Sequence, residues 1–575
     1  MTRVFSSDYN YIVTPEQAET CASEIVENLP NVIGVDTETT GLNCLNDKLK
    51  LVQIAVKGKP VYVFDVEKIS EAGIDALMRI LTSPVLKIFH NAKFDLKFLH
   101  TVGISINGDV FDTMLAEQVI MSGSAYKGFS LRDIAYKYTG TILDKEFQKG
   151  NWNLALTNEQ LNYAAQDARV LLGIYEQQII ELGELGLLDT ASLENTALIP
   201  TYKMELAGFR VDKRAVRDLK VDIVEDRADL VEELRELLPG VDNYNSPAQV
   251  KKSLISVGLD VKSTEKDELI KHRDDCPAVD KLLQYKKITK RISLLESLVK
   301  EINLKTGRIH ASFKQNATAT GRYSCTAPNL QGVPNTKEFR QCFTAADGNV
   351  LVIADYSQIE LRIIAEIAND ETMIQIFNNG EDIHRITASI INKKPVELVT
   401  AQERQSAKAM NFGLIYGMGY KTFKQYAKTN YGVDLSDYET QFAVDNFFRT
   451  YKGIGRRLTI LDSMFTREER TLGNRRRLWN TKPIITERAN AAIQGTGADI
   501  LKQALVNVNE RLLLPDSGVM LVGTVHDEII LECPADRADH VSAGLKTAME
   551  DAGKKYLGKV PVVADVAVGH TWADK

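Results

Sequence analysis

The chain has 575 residues, which is long enough for about four folding units, so a single small binding module is excluded. Hydrophobic residues make up 44% and charged residues 26% of the sequence, and these values exclude a disordered or fibrous chain. The formal net charge of −7 excludes a protein coated in basic surface, but it leaves open a local basic channel for nucleic acid.

The six cysteines are scattered, without a CxxC pair or a Cys/His cluster, so neither a zinc site nor a disulfide framework is predicted. No apolar run approaches the roughly 20 residues of a membrane span, and the first residues show no signal or transit pattern. These features predict a cytoplasmic protein that does not contact a membrane, or one in the host cytoplasm if the gene is phage-borne.

Changes in hydrophobic periodicity divide the chain into an α/β unit, a helical arm, and an α+β unit with a large helical insertion. The first unit opens with three predicted strands, at 31–39, 48–56 and 61–66. The later predicted elements are a helical stretch at 194–305, a strand at 350–356, long helices to about 448, a helix near 498–512, and a hairpin at 519–533.

The first unit carries a set of carboxylates. Asp36 and Glu38 are two residues apart in a strand, which places both on one face. Asp95 follows a strand that runs into a helix, and Asp167 shares a helix face with Tyr163. Carboxylates gathered in one pocket repel each other, so the set predicts bound Mg²⁺ or Mn²⁺. Each acid taken alone would more often be a solvated surface residue, and only the set as a whole favours a metal site.

The segments DTETTGL, HNAKFD and YAAQD resemble, in this order, the three motifs of the DEDDy class of 3′→5′ exonucleases, which have an RNase H-like fold. The resemblance implies two metal ions held by the four carboxylates Asp36, Glu38, Asp95 and Asp167. It also implies an attacking water positioned by Tyr163, and a substrate strand held with help from Asn91.

A second acidic pair lies at strand ends. Asp355 ends the apolar strand VLVIADY, and Asp527 and Glu528 lie at the turn of the predicted hairpin. Such acids cost desolvation energy unless a cation or hydrogen bonds compensate, although a lone strand-terminal Asp is usually a turn residue.

The helical segment RQSAKAMNFGLIYG supports a catalytic interpretation of this pair. Arg404, Lys408, Phe412 and Tyr416 recur every four residues and predict a stripe of roughly 18 Å along one helix face. Basic residues at one end and aromatic residues at the other suit an extended nucleoside triphosphate. The alternative is an amphipathic helix packed on a core.

Together, DYSQIELR, RQSAKAMNFGLIYG and VHDE resemble motifs A, B and C of family A DNA polymerases, the group that includes the large fragment of bacterial DNA polymerase I. The resemblance continues through TATGRYS, PNLQGVPN, GEDIHRITA and QGTGADILK. It implies a DNA polymerase that adds dNTPs to a primer 3′-hydroxyl by a two-metal mechanism, with 3′→5′ proofreading, in replication or repair. The implied cofactor is Mg²⁺, two ions per site, with Mn²⁺ as a substitute.

The resemblance also implies residue roles. Asp355 and Asp527 would hold the metal ions, with Glu528 supporting them. The implied nucleotide contacts are His384, Arg404 and Lys408 on the triphosphate, Phe412 on the sugar, Glu360 as a steric gate against ribose, and Tyr416 at the templating position. Lys408 would also donate a proton to pyrophosphate. The implied contacts to primer–template DNA are Arg322, Asn490, Gln494 and His526. Lys290, Arg291 and the run 475–477 are candidate phosphate contacts.

The expected architecture is an RNase H-like exonuclease followed by a right-hand polymerase, in a monomer of phage or bacterial type. The predicted division is an exonuclease at 1–190, a helical thumb at 191–310, a palm at 311–365 and 495–575, and fingers at 366–494. Gly332 and the short spacing from Arg488 to Gln494 depart from the family pattern, and no 5′-nuclease domain is expected before the exonuclease. The sequence does not identify accessory partners, so whether a helicase, a primase or a single-strand binding protein acts with it stays open.

Three other functions remain open at this point: a single-subunit RNA polymerase, a catalytically inactive DNA-binding scaffold, and a nuclease whose polymerase core serves only as a DNA clamp. Glu360, Phe412 and the exonuclease motifs argue against the first. The presence of every expected acid in both sites argues against the second.

Overall fold

The computed structural model describes residues 8–106, 109–144, 152–273, 276–464 and 466–575. Within these ranges, no helix is both long enough and apolar enough to cross a lipid bilayer. All six cysteines lie in the described part and are free thiols, in agreement with their scattered spacing.

The first unit is built on one mixed sheet covered by helices on both faces. Its strands are β1 (Tyr9–Ile12), β2 (Val32–Thr39), β3 (Leu49–Ala55), β4 (Val61–Asp65), β5 (Leu86–Phe89) and β6 (Val110–Asp112). Its helices are α1 (Pro15–Asn28), α2 (Ser70–Thr82), α3 (Ala92–Thr101), α4 (Thr113–Ile120), α5 (Leu131–Thr139) and α6 (Asn158–Glu184). The sheet order is β1-β4-β3-β2-β5-β6, in which β2, β3 and β4 are antiparallel neighbours and the other pairs are parallel.

A helical segment follows the first unit. It consists of α7 (Leu188–Ala207), the short strand β7 (Phe209–Arg210), α8 (Lys213–Leu237), α9 (Pro247–Ser256), α10 (Lys266–Ile270) and α11 (Pro277–Glu301). The two long helices α8 and α11 pack together, and buried apolar residues of both join a small core with α9. Apolar residues at helical spacing account for this pairing.

The last unit contains a four-stranded antiparallel sheet, in the order β14-β15-β11-β16. Its strands and their neighbours are β8 (Arg308–Ile309), β9 (Ser312–Lys314), β10 (Ser324–Thr326), β11 (Asn349–Tyr356), β12 (Glu468–Arg470), β13 (Arg476–Leu478), β14 (Met520–Val525), β15 (Glu528–Pro534) and β16 (Ala564–Gly569). Its helices are α12 (Lys337–Arg340), α13 (Ile359–Ala368), α14 (Glu371–Asn378), α15 (Ile383–Asn392), α16 (Ala401–Leu414), α17 (Tyr420–Tyr431), α18 (Asp437–Thr450), α19 (Lys452–Ser463), α20 (Ile485–Arg511) and α21 (Ala538–Lys554). Short 3₁₀ turns lie at 330–332, 396–398, 535–537 and 572–574.

Two predicted elements differ from the structure. The helix predicted near 498–512 is the second half of α20, which begins at Ile485. The helix runs through the segment QGTG, where a Cβ on Gly495 would lie 2.5 Å from the Thr471 side chain, so this glycine permits close packing rather than a turn. The run 475–477 was expected at a DNA surface, but it forms part of the β12–β13 hairpin, which contacts the first unit.

That hairpin ties the two units together through backbone acceptors. The amide of Leu478 donates to the Ser122 carbonyl at 2.8 Å, and Arg476 donates to the Ile120 carbonyl. Asn474 and Arg470 donate to carbonyls at the α6–α7 connection.

A buried ion cluster lies beside this junction. Glu194 on α7 accepts from Lys502, and its carboxylate lies 2.6 Å from the Arg475 guanidinium, while Arg475 also donates to Asp499 at 2.7 Å. All four side chains are at most 2% exposed. Burial favours the protonated form of Glu194, but the Lys502 and Arg475 charges outweigh it and hold its pKa below the usual value. The cluster therefore fixes α7 against α20 as a charged set.

We expect Glu194→Gln to lower the free energy of unfolding by about 3–5 kcal/mol, because two buried cations would lose their shared partner. Urea denaturation followed by circular dichroism measures the change. Glu184→Gln, at an exposed position near the end of α6, serves as the matched control and is expected to change stability by less than about 0.5 kcal/mol. Equal effects of the two substitutions would contradict a structural role for the cluster.

Candidate active sites

The first site forms where β2, α3 and α6 meet. Strand alternation leaves Asp36 and Glu38 on one half-buried face of β2, as the spacing predicted. A Cβ on Gly34 would lie 2.4 Å from the Ala168 carbonyl, so glycine at this position lets the α6 backbone lie directly against the strand. That close approach brings Asp167 to the same pocket.

The four carboxylates of this site affect one another electrostatically. Burial, followed by the charges of Asp95, Glu38 and Asp167, raises the pKa of Asp36 well above its usual value. Burial raises the pKa of Asp95 to about 8 and that of Asp167 to about 7. The set is therefore poorly compensated by the protein alone, which is the condition under which a bound cation stabilises it.

Neighbouring hydroxyl groups orient two of these acids. Thr37, on the buried face of β2, donates to Oδ1 of Asp95 at 2.6 Å. The phenol of Tyr163 donates to Asp167, one helical turn away on α6. Asn91 lies in left-handed backbone at the start of α3, the helix that carries Asp95, and lines a cleft of about 440 Å³.

The second site lies at the end of β11. Asp355 is paired in register with Glu528 of β15, and Asp527 lies in the tight turn between β14 and β15. Burial and the Asp355 charge raise the pKa of Asp527 to about 7. Glu528 is only 3% exposed and accepts from Arg340 at 3.2 Å and from the Trp572 indole, so it is held in place by the protein.

A cavity of about 280 Å³ opens next to these acids. It brings together most of the residues that the sequence assigned to the nucleotide. Its lining consists of Gln358, Ile359, Glu360, His384, Arg404, Lys408, Phe412 and Asp527.

The side chains of the cavity are fixed by hydrogen bonds that the sequence did not reveal. Asp382, which caps α15, accepts from Nε of Arg404 at 2.7 Å. The buried amide of Asn411 donates to Nδ1 of His384 at 2.9 Å, so the neutral imidazole carries its proton on Nε2. Burial lowers the pKa of His384 to about 4, which keeps the ring neutral at physiological pH.

Tyr416 lies outside the helix in which it was predicted. Helix α16 ends at Leu414, so the four-residue stripe stops at Phe412, and Gly417 follows in left-handed backbone. The Tyr416 hydroxyl nevertheless reaches the cavity edge and donates to Glu360, whose other oxygen accepts from Arg322 at 2.6 Å. Glu360 is thus held between two partners.

The model of DNA polymerase family A matches residues 213–574, and the model of a 3′-5′ exonuclease matches residues 10–179. The chain belongs to DNA polymerase family A.

Its relatives include DNA polymerase I of Aquifex aeolicus, which is 35% identical over 98% of this chain and 99% of that protein. DNA polymerase I of Chloroflexus aurantiacus is 31% identical over 97% of this chain, which spans 63% of that relative's length. A solved structure, the POL domain of Pol1 from M. smegmatis in complex with DNA primer-template and dNTP, has a TM-score of 0.84 at 25% identity and covers 98% of this chain and all of that one. The family confirms the expected fold class and a DNA polymerase with 3′-5′ exonuclease activity.

The structure corrects the prediction that the basic run 475–477 contacts DNA phosphates. Arg475 and Arg476 are 2% and 7% exposed and bonded within the protein, so they are not available as phosphate contacts. A run of charged residues in the sequence does not show whether another segment of the chain will pack over it. Arg488, which had no assigned role, is buried and bridges Glu469 and backbone carbonyls.

Of the residues predicted at the DNA, Arg322 bonds Glu360 of the cavity, and His526 is adjacent to Asp527. Asn490 and Gln494 share one half-buried face of α20, and the Asn490 carbonyl oxygen has no hydrogen-bond partner. His526 occupies the β14–β15 turn with φ of 59°, and burial together with the Arg322 charge lowers its pKa. Gly332 is exposed in a 3₁₀ turn, where an added Cβ would meet only Asn329.

Both acidic sites fit Mg²⁺. In the described ranges, no three His, Cys, Asp or Glu side chains form a ready-made metal cage. Mg²⁺ does not need such a cage, since it keeps several waters and binds through one or two carboxylates and substrate phosphates. The buried Oδ1 of Asp355, which has no hydrogen-bond partner, is an oxygen donor of the required kind.

The exonuclease acids generate a pH prediction. A raised folded-state pKa means that Asp95 favours folding below its unfolded pKa near 3.8, and that this contribution is lost as pH rises toward 8. We therefore expect Asp95→Asn, measured in EDTA, to raise Tm relative to the wild type by an amount that grows from pH 5 to pH 8.

Asp551→Asn is the control for this experiment. Hydrogen bonds from Arg511 and Lys554 lower the pKa of the half-buried Asp551, so both its folded and unfolded pKa values lie below pH 5. Its Tm difference from the wild type should stay constant over the same range. A pH-independent difference for Asp95→Asn would show that Asp95 is not destabilised by its charge.

Proposed function

We propose that the protein extends primer–template DNA at the α16 cavity and removes mispaired 3′ ends at the carboxylate set of β2, α3 and α6. One observation carries the polymerase assignment: a single cavity collects the hairpin-turn acid Asp527, two cationic residues of α16, and the Glu360 carboxylate. In this assignment the thumb comprises α8–α11, the palm the β11 sheet, and the fingers α14–α19.

In the polymerase site, Asp355 and Asp527 would hold two Mg²⁺ ions, with Mn²⁺ as a substitute. The chemistry that bound metal supplies in either site is activation of an attacking oxygen and stabilisation of charge on the phosphoryl group. Arg404, kept in position by Asp382, and Lys408 would bind the triphosphate at the other end of the cavity.

The remaining residues of the cavity would select and orient the nucleotide. His384 presents Nε2–H as a neutral donor for a phosphate oxygen, because Asn411 occupies Nδ1. Phe412 would pack on the sugar, and Lys408 would protonate the departing pyrophosphate. Glu360, held by Arg322 and Tyr416, would occupy the space of a ribose 2′-hydroxyl.

In the exonuclease site, Asp36, Glu38, Asp95 and Asp167 would hold the metal ions, and Tyr163 would position the attacking water. Primer–template DNA would lie along Arg322, Asn490, Gln494 and His526, with Asn91 near the end of an unpaired strand. Polar contacts of this kind in the minor groove test base pairing without imposing a sequence, since the acceptors there are similar for every correct pair.

Separate substitutions test the two sites. With a 5′-labelled primer on a longer template and Mg²⁺, we expect Asp36→Ala to abolish primer shortening and preserve extension with dNTPs. Asp527→Ala should abolish extension and preserve shortening. Denaturing gels measure both activities. Loss of both activities in either variant would contradict two independent sites. If the wild-type protein only shortens the primer, with and without dNTPs, only the nuclease function would be supported.

The position of Glu360 predicts sugar selectivity. We expect Glu360→Ala to raise incorporation of ribonucleotides relative to deoxynucleotides by about 10- to 200-fold, because the added space accommodates a hydroxyl. The kcat/KM ratio for the two nucleotides in single-nucleotide extension measures the effect. Glu360→Gln keeps the side-chain volume and should retain most of the discrimination. Unchanged selectivity in the alanine variant would exclude the gate.

A further inference from the structure

A lysine ammonium lies among the polymerase acids. Nζ of Lys575 donates to Oε2 of Glu528 at 2.5 Å and also to Oδ2 of Asp355. Lys575 is therefore in contact with two carboxylates of the site that would bind metal. None of the motifs in the sequence pointed to this residue.

The segment that carries Lys575 is held in place by the packing of Trp572. After β16, a short 3₁₀ turn brings in Trp572, which is fully buried and packs on Phe343 with ring centres 5.3 Å apart. Its indole donates to Glu528, and the Arg340 guanidinium stacks over the ring at 4.4 Å. This anchoring places the lysine side chain at the acids.

The acids of the polymerase site carry more negative charge than the neighbouring cations neutralise, and Lys575 is one of those cations. Asp355, Asp527 and Glu528 supply negative charge, and the cations in contact with them in the described structure are Lys575 and Arg340. Of these three acids, Arg340 bonds only Glu528 in the described structure. Lys575 donates to Oδ2 of Asp355, and the other carboxylate oxygen, Oδ1, has no hydrogen-bond partner.

We propose that Lys575 is a built-in competitor of the divalent ion at the polymerase site. In the metal-free enzyme its ammonium neutralises Asp355 and Glu528, and it leaves Asp355 when a metal ion binds there. This inference rests on the proposed polymerase site. The competition weakens metal binding to the free enzyme and favours loading of metal together with the nucleotide, whose triphosphate brings negative charge of its own.

Binding of Mn²⁺ to the full-length protein without DNA or nucleotide tests the proposal. Electron paramagnetic resonance counts free Mn²⁺ during a titration, and the polymerase site is defined as the part of the binding that Asp527→Ala removes. We expect Lys575→Gln to tighten this binding by about 2- to 5-fold, the range for losing one partly exposed ion pair.

Two controls separate charge from other effects. Lys575→Arg keeps the positive charge and should bind Mn²⁺ like the wild type. Lys554→Gln removes an exposed lysine that pairs with Asp551 on the surface, and it should also be unchanged. If Lys575→Arg tightens binding as much as the glutamine variant does, charge competition is overturned.

The possible outcomes distinguish this inference from the proposed function. Unchanged Mn²⁺ affinity in Lys575→Gln, with Asp527-dependent binding intact, overturns the competition and leaves the metal site standing. Absence of Asp527-dependent binding in every variant overturns both. A second readout is Tm: we expect Mg²⁺ to raise the Tm of Lys575→Gln more than that of the wild type, and an equal rise would count against competition.

Discussion

Repulsion between carboxylates held close together is the constraint on which both sites depend. Acids placed side by side in a medium of low dielectric raise one another's pKa and weaken the fold unless positive charge compensates. Within the described residues, the exonuclease set has hydroxyl donors such as Thr37, but none of its four acids forms an ion pair with a cationic side chain. The polymerase acids are partly neutralised by Arg340 and Lys575. The two sites thus solve the same electrostatic problem differently.

Rigid surroundings make this arrangement possible. Asp36 and Glu38 lie on a central strand of their sheet, and Asp355 lies on a strand with neighbours on both sides. Helix α6 can bring Asp167 close only because Gly34 leaves room for its backbone. Backbone hydrogen bonds of a sheet interior resist the movement by which like charges would otherwise separate. The cost of gathering the acids is therefore met by the packing of strands and helices around them.

The sequence predicted the parts of the fold that depend on local periodicity. Alternation placed Asp36 and Glu38 on one face of β2, apolar runs between polar connections identified β3 and β4, and strand-end acids together with the Arg404–Phe412 stripe identified the polymerase cavity. It missed contacts between distant segments. The burial of Arg475 depends on Glu194, 281 residues earlier, and Lys575 meets Asp355 across 220 residues. No pattern along a single segment encodes such a meeting, and the end of α16 before Tyr416 was equally invisible because its aromatic spacing continues.

The β12–β13 hairpin bears on how such polymerases can be recombined. The exonuclease and polymerase matches are consecutive in sequence, which suggests two exchangeable modules. Yet Arg476 bonds a carbonyl 356 positions away, at Ile120, and Leu478 bonds Ser122. A chimera that exchanged only the exonuclease segment would bring a foreign surface to these donors. The segments that must be exchanged together are therefore not contiguous in sequence. The β12–β13 hairpin should be exchanged with the exonuclease, although it lies within the polymerase part of the chain.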